Sequence, residues 1–200
     1  MSQSDTIPVR QHAYALLNAN SGASKLETHK VNFCTAFCGV NKKKGIAFLT
    51  HLDVPSSAKA IDEICYKLEN EYGGLNGFEL RYASLVGPFT RILLSLGCGA
   101  LAWDQGQSLD AYIRILLGLF TSAVAFWYFA WPQLRMYVAA KRRFQCKVTR
   151  VHLPKFRATL GTIGMKVDLA SSSVFEVTWD GPAVKKEDWS TARKRESAGR

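Results

Sequence analysis

Two stretches near the start of the chain are predominantly apolar and have the length of β-strands. They run from Val31 to Val40 and from Ile46 to Leu52, and Asn-Lys-Lys-Lys-Gly joins them, which predicts a β-hairpin. Apolar residues then recur at helical spacing from Ile61 to Tyr72, after a Pro-Ser-Ser start with Ser as the expected cap, which predicts an amphipathic helix. Phe78 to Val86 alternates apolar and polar positions and predicts a third strand.

The order β-β-α-β predicts an α+β domain over residues 1–87. Residues 1–8 show no regular pattern, and Val9 to Asn18 is interpreted as a short helix. At the other end of the chain, residues 133–183 contain short alternating segments that predict a small β-rich cytosolic part. Residues 184–200 are highly charged and are predicted to form a disordered basic tail.

Residues 88–132 hold two long apolar runs with a polar bend between them. The second run, Ile115 to Trp131, has no charged residue, and at about 1.5 Å per residue it approaches the thickness of a bilayer core. The first run is interrupted by glycines and by Arg91, whose side chain is expected to reach a lipid headgroup. We therefore predict a transmembrane helical hairpin; the alternative is a hairpin buried inside a soluble protein.

The distribution of charge predicts the orientation of this hairpin. The chain has 26 Lys and Arg against 16 Asp and Glu, a formal net charge of +10. Asp104 and Asp110 lie in the bend, whereas a basic run follows the second apolar run. The positive-inside rule then places both termini in the cytoplasm, as in a multi-pass membrane protein with two helices. Basic residues are not interleaved with aromatic ones, so nucleic acid is not expected as a partner.

Five cysteines without a secretory signal predict free thiols in a reducing compartment. In the hairpin, a four-residue turn from Asn41 to Lys44 would place Cys34 opposite His51 and Phe37 opposite Phe48. Cys34 and Cys38 would then lie about 13 Å apart along one strand, too far for a disulfide or for joint ligation of zinc. No metal or organic cofactor is predicted.

A histidine across the hairpin makes Cys34 a candidate nucleophile. The imidazole of His51 could deprotonate the thiol, and the thiolate is the reactive form, so the pKa of Cys34 is expected below its reference value of about 8.5. Thr28 has the same strand parity as Cys34, six residues earlier, and is the candidate for orienting His51. In the alternative interpretation Cys34 is a small buried apolar side chain.

The motifs around this pair resemble those of a family of enzymes. "CTAFCGVNKKKGIAFLTHLD", the helix "SAKAIDEICYKLENEY" and the strand "FELRYASLVGP" are similar to the CheD chemotaxis-receptor glutamine deamidases. They are more similar still to protein N-terminal asparagine amidohydrolase, through Leu-Thr-His-x-Asp after the second strand and Leu-Val-Gly after the third. The resemblance implies a catalytic Cys34 and His51 at the family's separation, and it implies that Thr28 completes the site as in CheD proteins. Asn32-Phe33 stands where CheD proteins have Gly-Ser before the cysteine.

The resemblance implies a cysteine-dependent amidohydrolase that deamidates Gln or Asn side chains of a protein substrate through a thioester. Joined to the hairpin, it would be membrane-anchored. The alternative is a catalytically inactive, membrane-tethered interaction module of the same fold. A third possibility is nucleotide sensing by the C-terminal part, because "KRRFQCK" followed by "VDLASSS" is similar to the PilZ cyclic-dinucleotide pattern without its last arginine and closing glycine.

Overall fold

The computed structural model describes residues 5–19, 22–151, 161–171 and 174–182 of the chain. This part of the chain forms an α+β fold of two mixed β-sheets and four α-helices, as predicted for the fold class. The strands are β1 (Thr6–Pro8), β2 (Tyr14–Asn18), β3 (Lys25–Val31), β4 (Thr35–Asn41), β5 (Ile46–Leu52), β6 (Glu79–Ala83), β7 (Val148–Arg150), β8 (Gly161–Asp168) and β9 (Phe175–Pro182). The helices are α1 (Lys59–Glu71), α2 (Pro88–Gln105), α3 (Ala111–Phe129) and α4 (Trp131–Arg142), with a 3₁₀ turn at Pro55–Ala58 before α1.

The two sheets face each other, and helices cover the outer face of the larger one. The smaller sheet has the order β1-β3-β8-β9, and the larger has the order β2-β5-β4-β6-β7. Every residue of β4 and β5 is buried, because these central strands are covered on both faces. That burial explains why their sequences are almost continuously apolar rather than strictly alternating.

The outer face of the larger sheet packs against α1 and α4 in an aromatic core. The ring of Phe48 lies 5.8 Å from that of Phe144 and 6.0 Å from that of Phe78. Ile64 of α1 and Met136 of α4 belong to the same buried cluster. The C-terminal part of the chain is therefore built into the core of the N-terminal part.

A second core lies between the two sheets. It joins Leu26 of β3 and Met165 of β8 to Cys38 and Leu49 of the larger sheet. The segment predicted to be β-rich, residues 133–183, thus begins with α4 and then contributes strands to both sheets. The predicted disordered tail, residues 184–200, lies outside the described residues.

The predicted hairpin of β4 and β5 is present, but its predicted register is wrong by two residues. Phe37 pairs with Thr50 rather than with Phe48, and Ala36, not Cys34, pairs with His51. The turn lies one residue later than predicted because Gly45 adopts a left-handed φ of 64°, which favours glycine. A two-residue shift keeps every side chain on its predicted face.

The predictions for the N-terminal residues are wrong. Tyr14 to Asn18, assigned to a helix, forms strand β2 along the edge of β5, and residues 6–8, read as loose, form β1 parallel to β3. The strand from Val31 also breaks, since residues 32–34 form a bend between β3 and β4. Tertiary pairing along the open edges of β5 and β3 overrides the local preference of these short segments.

Helices α2 and α3 form a closely packed helical hairpin. A Cβ atom on Gly99 would come within 1.9 Å of Ser122 Oγ and 2.5 Å of the Gly118 carbonyl oxygen, so the two helices approach through small residues. Large apolar side chains elsewhere on both helices are exposed to solvent. These include Phe89, Leu93, Leu96, Leu101, Ile113, Leu119, Phe120 and Val124.

One described helix, α3, is long and apolar enough to cross a membrane. Its 19 residues extend about 28 Å at 1.5 Å per residue. Few of these residues are buried. Helix α2 does not meet the same criterion. The helical hairpin is therefore present, while its position in a membrane and the cytoplasmic placement of both termini stay predictions.

Candidate active site

Cys34 lies in the bend where the chain passes from the smaller sheet to the larger. It immediately precedes β4, and its half-buried thiol packs against the core between the sheets. Its carbonyl oxygen accepts hydrogen bonds from Ser84 Oγ at 2.9 Å and from Arg91 Nη2 at 3.0 Å. Contacts from β6 and α2 thus fix the backbone at this cysteine.

His51 lies on β5 and is fully buried. Its Nδ1 atom is 2.9 Å from Oγ1 of Thr28, whose side chain is also buried. The structure therefore brings Thr28 and His51 together, although Thr28 comes from β3 of the opposing sheet and not from the strand that carries Cys34. The other ring nitrogen, Nε2, has no hydrogen-bond partner among the described residues.

Cys34 and His51 do not pair directly in the β4–β5 ladder. His51 pairs with Ala36, and Cys34 lies in the bend two residues before Ala36. The Cys34 thiol and His51 Nε2 share no hydrogen bond, since Nε2 has no partner among the described residues. The backbone alone therefore brings the two residues to the same end of the β4–β5 pair.

The electrostatic environment keeps both groups neutral. Burial raises the pKa of the Cys34 thiol, while the Asn32 backbone N–H and the charge of Arg91 act in the opposite direction. Burial lowers the pKa of His51 to about 4. The expectation of a thiol pKa below its reference value is therefore wrong for the free protein, because desolvation outweighs the nearby cation and the imidazole carries no charge.

An acidic group beside this pair was not singled out by sequence reasoning. Asp53 follows β5, and its Oδ1 atom lies 2.9 Å from Nδ1 of the largely exposed His12. Burial raises the pKa of Cys34 and lowers that of His51; the carboxylate of Asp53 adds to the first effect and opposes the second. The only sequence signal was its position two residues after His51.

The role predicted for Arg91 is wrong. It does not extend towards the surface; its side chain is buried and donates to the Cys34 carbonyl. The available signal was the presence of a charged residue in an apolar helix, which usually marks a paired, inward-facing group.

All five cysteines are free thiols. Cys38 is fully buried in β4, where its Sγ lies 3.5 Å from the Arg81 carbonyl oxygen, and burial raises the pKa of its thiol well above the ordinary value. Within the ranges that the structure describes, no group of three His, Cys, Asp or Glu side chains could hold a metal ion.

No model of a known protein family matches the sequence, and a search among curated proteins finds no match either. The resemblance to CheD and to protein N-terminal asparagine amidohydrolase therefore rests on the quoted motifs, and the catalytic roles of Cys34, His51 and Thr28 stay predictions.

Proposed function

We propose that the protein is a membrane-anchored, cysteine-dependent amidohydrolase that deamidates Gln or Asn side chains of a protein substrate. The observation that carries the proposal is the buried His51 ring, with Nδ1 2.9 Å from Thr28 Oγ1 and Nε2 unpartnered. An unsatisfied buried polar atom costs about 1–3 kcal/mol. A catalytic role explains the unpartnered Nε2 atom, because a nitrogen that accepts a proton during turnover must be free to receive it.

His51 can act as the general base for Cys34 in one of its two neutral tautomers. When Nδ1 donates its hydrogen to Thr28 Oγ1, Nε2 holds the free electron pair and can accept the Cys34 proton. The pKa of His51, about 4, keeps the ring neutral and able to accept at neutral pH. The contact with Thr28 thus orients the ring, and it leaves Nε2 free as the acceptor when Nδ1 carries the hydrogen.

In the proposed reaction the sulfur of Cys34 attacks the amide carbon as its proton passes to His51 Nε2. The tetrahedral intermediate collapses when the imidazolium returns that proton to the nitrogen, ammonia leaves, and a thioester remains. Water then attacks the thioester with His51 again as base, which releases the carboxylic acid and restores the thiol. The backbone N–H of Cys34 is the candidate donor for the oxyanion.

The test identifies a substrate protein by the products that deamidation would form. Purified full-length protein in detergent is incubated with candidate cytosolic proteins, and ammonia release is measured together with the intact mass of each candidate. Deamidation releases one ammonia for each amide converted to acid. Ammonia without a matching mass change, or neither signal from any candidate at high enzyme concentration, would contradict the proposal.

The membrane anchor is supported by the apolar surface of α2 and α3. Leu93, Leu101, Leu119 and Phe120 are all exposed on these two helices, and extended exposed apolar surface is typical of membrane-interaction or protein-interaction sites. We expect the full-length protein to stay in the membrane pellet after extraction with alkaline carbonate, as an integral protein does. Recovery in the soluble fraction without detergent would contradict the anchor, and a peripheral protein of the same cells serves as the control.

The second candidate function is an inactive interaction module of the same fold, tethered to the membrane. It is favoured by the raised pKa of the Cys34 thiol and by the absence of a hydrogen bond to His51. Iodoacetamide distinguishes the two, since a nucleophile should be alkylated in competition with substrate. Protection of Cys34 by a substrate protein supports the enzyme, and equal alkylation with and without it supports the module.

A further inference from the structure

Arg91 connects the helical hairpin to the bend that carries Cys34. Its side chain is only 4% exposed. On the side of the bend, Nη2 donates to the Cys34 carbonyl at 3.0 Å, to Thr35 Oγ1 at 3.2 Å and to Ser84 Oγ at 2.8 Å. On the side of the hairpin, Nη1 donates to the Phe129 carbonyl at 2.8 Å. One buried guanidinium thus contacts both parts of the molecule.

The contact with Phe129 is specific to the end of α3. The last carbonyls of an α-helix have no partner within the helix, and a cation is favourable at this end of the helix dipole. Phe129 is the last residue of α3. Arg91 of α2 therefore satisfies the carbonyl group at the end of α3. This hydrogen bond depends on the position of that end relative to α2.

The guanidinium has no counter-ion among the described residues. All its recorded partners are carbonyl or hydroxyl oxygens; the fifth is the Val86 carbonyl, 3.2 Å from Nε. A buried cation without an acidic partner needs a reason, because burial of a charge is costly unless it is paired. The nearest ionisable thiol is Cys34, and the charge of Arg91 stabilises its thiolate.

Helix α2 presents Arg91 on the same face as its contact with α3. The buried residues of α2 are Arg91, Ser95 and Gly99, spaced four apart. Ser95 Oγ donates to the Arg91 carbonyl at 2.8 Å, and Gly99 is the point of closest approach to α3. The packing of the two helices thus fixes the position of the Arg91 backbone.

We infer that Arg91 is a positioning residue through which the packing of α2 against α3 regulates the reactivity of Cys34. The inference rests on the proposed function, because it concerns regulation of the same site. When the two helices pack as described, the guanidinium holds the Cys34 carbonyl and places a positive charge beside the thiol. When they separate, the charge leaves, and the Cys34 carbonyl, Thr35 Oγ1 and Ser84 Oγ lose their hydrogen bonds from Nη2.

The first test replaces the arginine. Arg91→Gln removes the charge, and Arg91→Lys keeps the charge without the planar fork of donors. The rate of Cys34 alkylation by iodoacetamide is measured against pH by mass spectrometry on the full-length protein in detergent. We expect Arg91→Gln to slow alkylation at neutral pH by about tenfold, the effect of one pKa unit on the thiolate fraction, and Arg91→Lys to restore part of the rate.

The second test changes only the packing of α2 against α3. It tests the inference even if the Arg91→Gln variant does not fold. Gly99→Leu inserts a side chain where no space exists, whereas Gly97→Leu adds the same side chain where nothing lies within 4 Å. We expect Gly99→Leu, but not Gly97→Leu, to slow Cys34 alkylation by at least about threefold, since it displaces a charge that favours the thiolate. Hydrogen exchange of α2 and α3 reports whether the packing has changed.

A Gly99→Leu protein with altered exchange but with the alkylation rate of Gly97→Leu would overturn the inference. A faster rate would also overturn it, because it would mean that the bend had merely opened. Alkylation requires no substrate, so these outcomes are independent of ammonia release. Loss of coupling with deamidase activity retained would reject the inference alone, and coupling without any deamidase activity would reject the proposed function alone.

Discussion

Replacing Cys34 by serine is expected to lower the rate of ammonia release by roughly a thousandfold or more, because the hydroxyl of serine is a far weaker nucleophile than a thiol in a site built for sulfur. The change removes no packed volume, since the two side chains have nearly the same shape. The melting temperature should therefore stay close to that of the wild type. The measurement is ammonia release with a substrate found as described above.

The matched control is Cys38→Ser. Cys38 lies four residues further along the chain, on β4, and its thiol is fully buried in the core between the sheets. We expect this variant to lose stability, because a hydroxyl replaces a buried apolar group, but to keep its turnover within a few-fold at a temperature where it is folded. Loss of activity in Cys38→Ser with activity retained in Cys34→Ser would show that the nucleophile is wrongly assigned.

The second large effect is expected on stability in acid. Burial lowers the pKa of His51 from its ordinary value of 6.5 to about 4, so below pH 6.5 the unfolded chain binds a proton that the folded protein does not. The resulting stability is fully present above pH 6.5 and is lost as the pH falls towards 4. The shift corresponds to about 3 kcal/mol of unfolding free energy, measured as a fall in melting temperature across this range.

His51→Gln is the control for this acid effect, because glutamine is polar, of similar size and does not titrate. The fall in stability between neutral pH and pH 4 should be smaller in the variant by about the same 3 kcal/mol. All other ionisable groups are common to both proteins, so the comparison isolates the contribution of His51. Equal acid dependence of the two proteins would contradict the burial of a neutral His51.

The sequence was sufficient to predict the hairpin of β4 and β5 and the face of the hairpin to which His51 belongs, whereas Cys34 lies in the bend before β4. The period of two along a strand determines the face, and an error of two residues in the register leaves it unchanged. The register itself depended on the turn, where the left-handed φ of Gly45 moves the loop by one residue. Turn geometry of this kind is a local choice that hydrophobic pattern does not encode.

The strand pattern did not show which sheet carries Thr28. It predicts one strand from Val31 to Val40, whereas the chain bends at residues 32–34, which leaves Thr28 on the opposing sheet. The contact between Thr28 and His51 depends on two sheets facing each other, which is a tertiary property. The same holds for Arg91, whose partners include the carbonyl groups of Cys34 and Phe129, both distant in sequence.

The helix assigned to Val9–Asn18 failed for a related reason. Tyr14 to Asn18 is too short for its composition to determine its structure, and its pairing with β5 supplies the missing stabilisation. The existence of helix α1 was correctly predicted because its apolar spacing persists over several turns, and Ile61, Ile64, Cys65 and Leu68 are buried as predicted. The predicted serine cap is wrong, since the helix follows a 3₁₀ turn and begins after Ala58 without a side-chain cap.

The pairing of β3 with β8 has a consequence for the order of events during synthesis. Thr28 pairs with Met165, so the strand that supports His51 gains this neighbour only after α2, α3 and α4 have left the ribosome. Until then the β3 edge is unpaired, and unpaired edges of newly made chains readily bind other strands. The sheet that carries Thr28 is therefore completed last, after the apolar helices α2 and α3 have been synthesised, and a chain released early would carry Cys34 without the finished sheet around it.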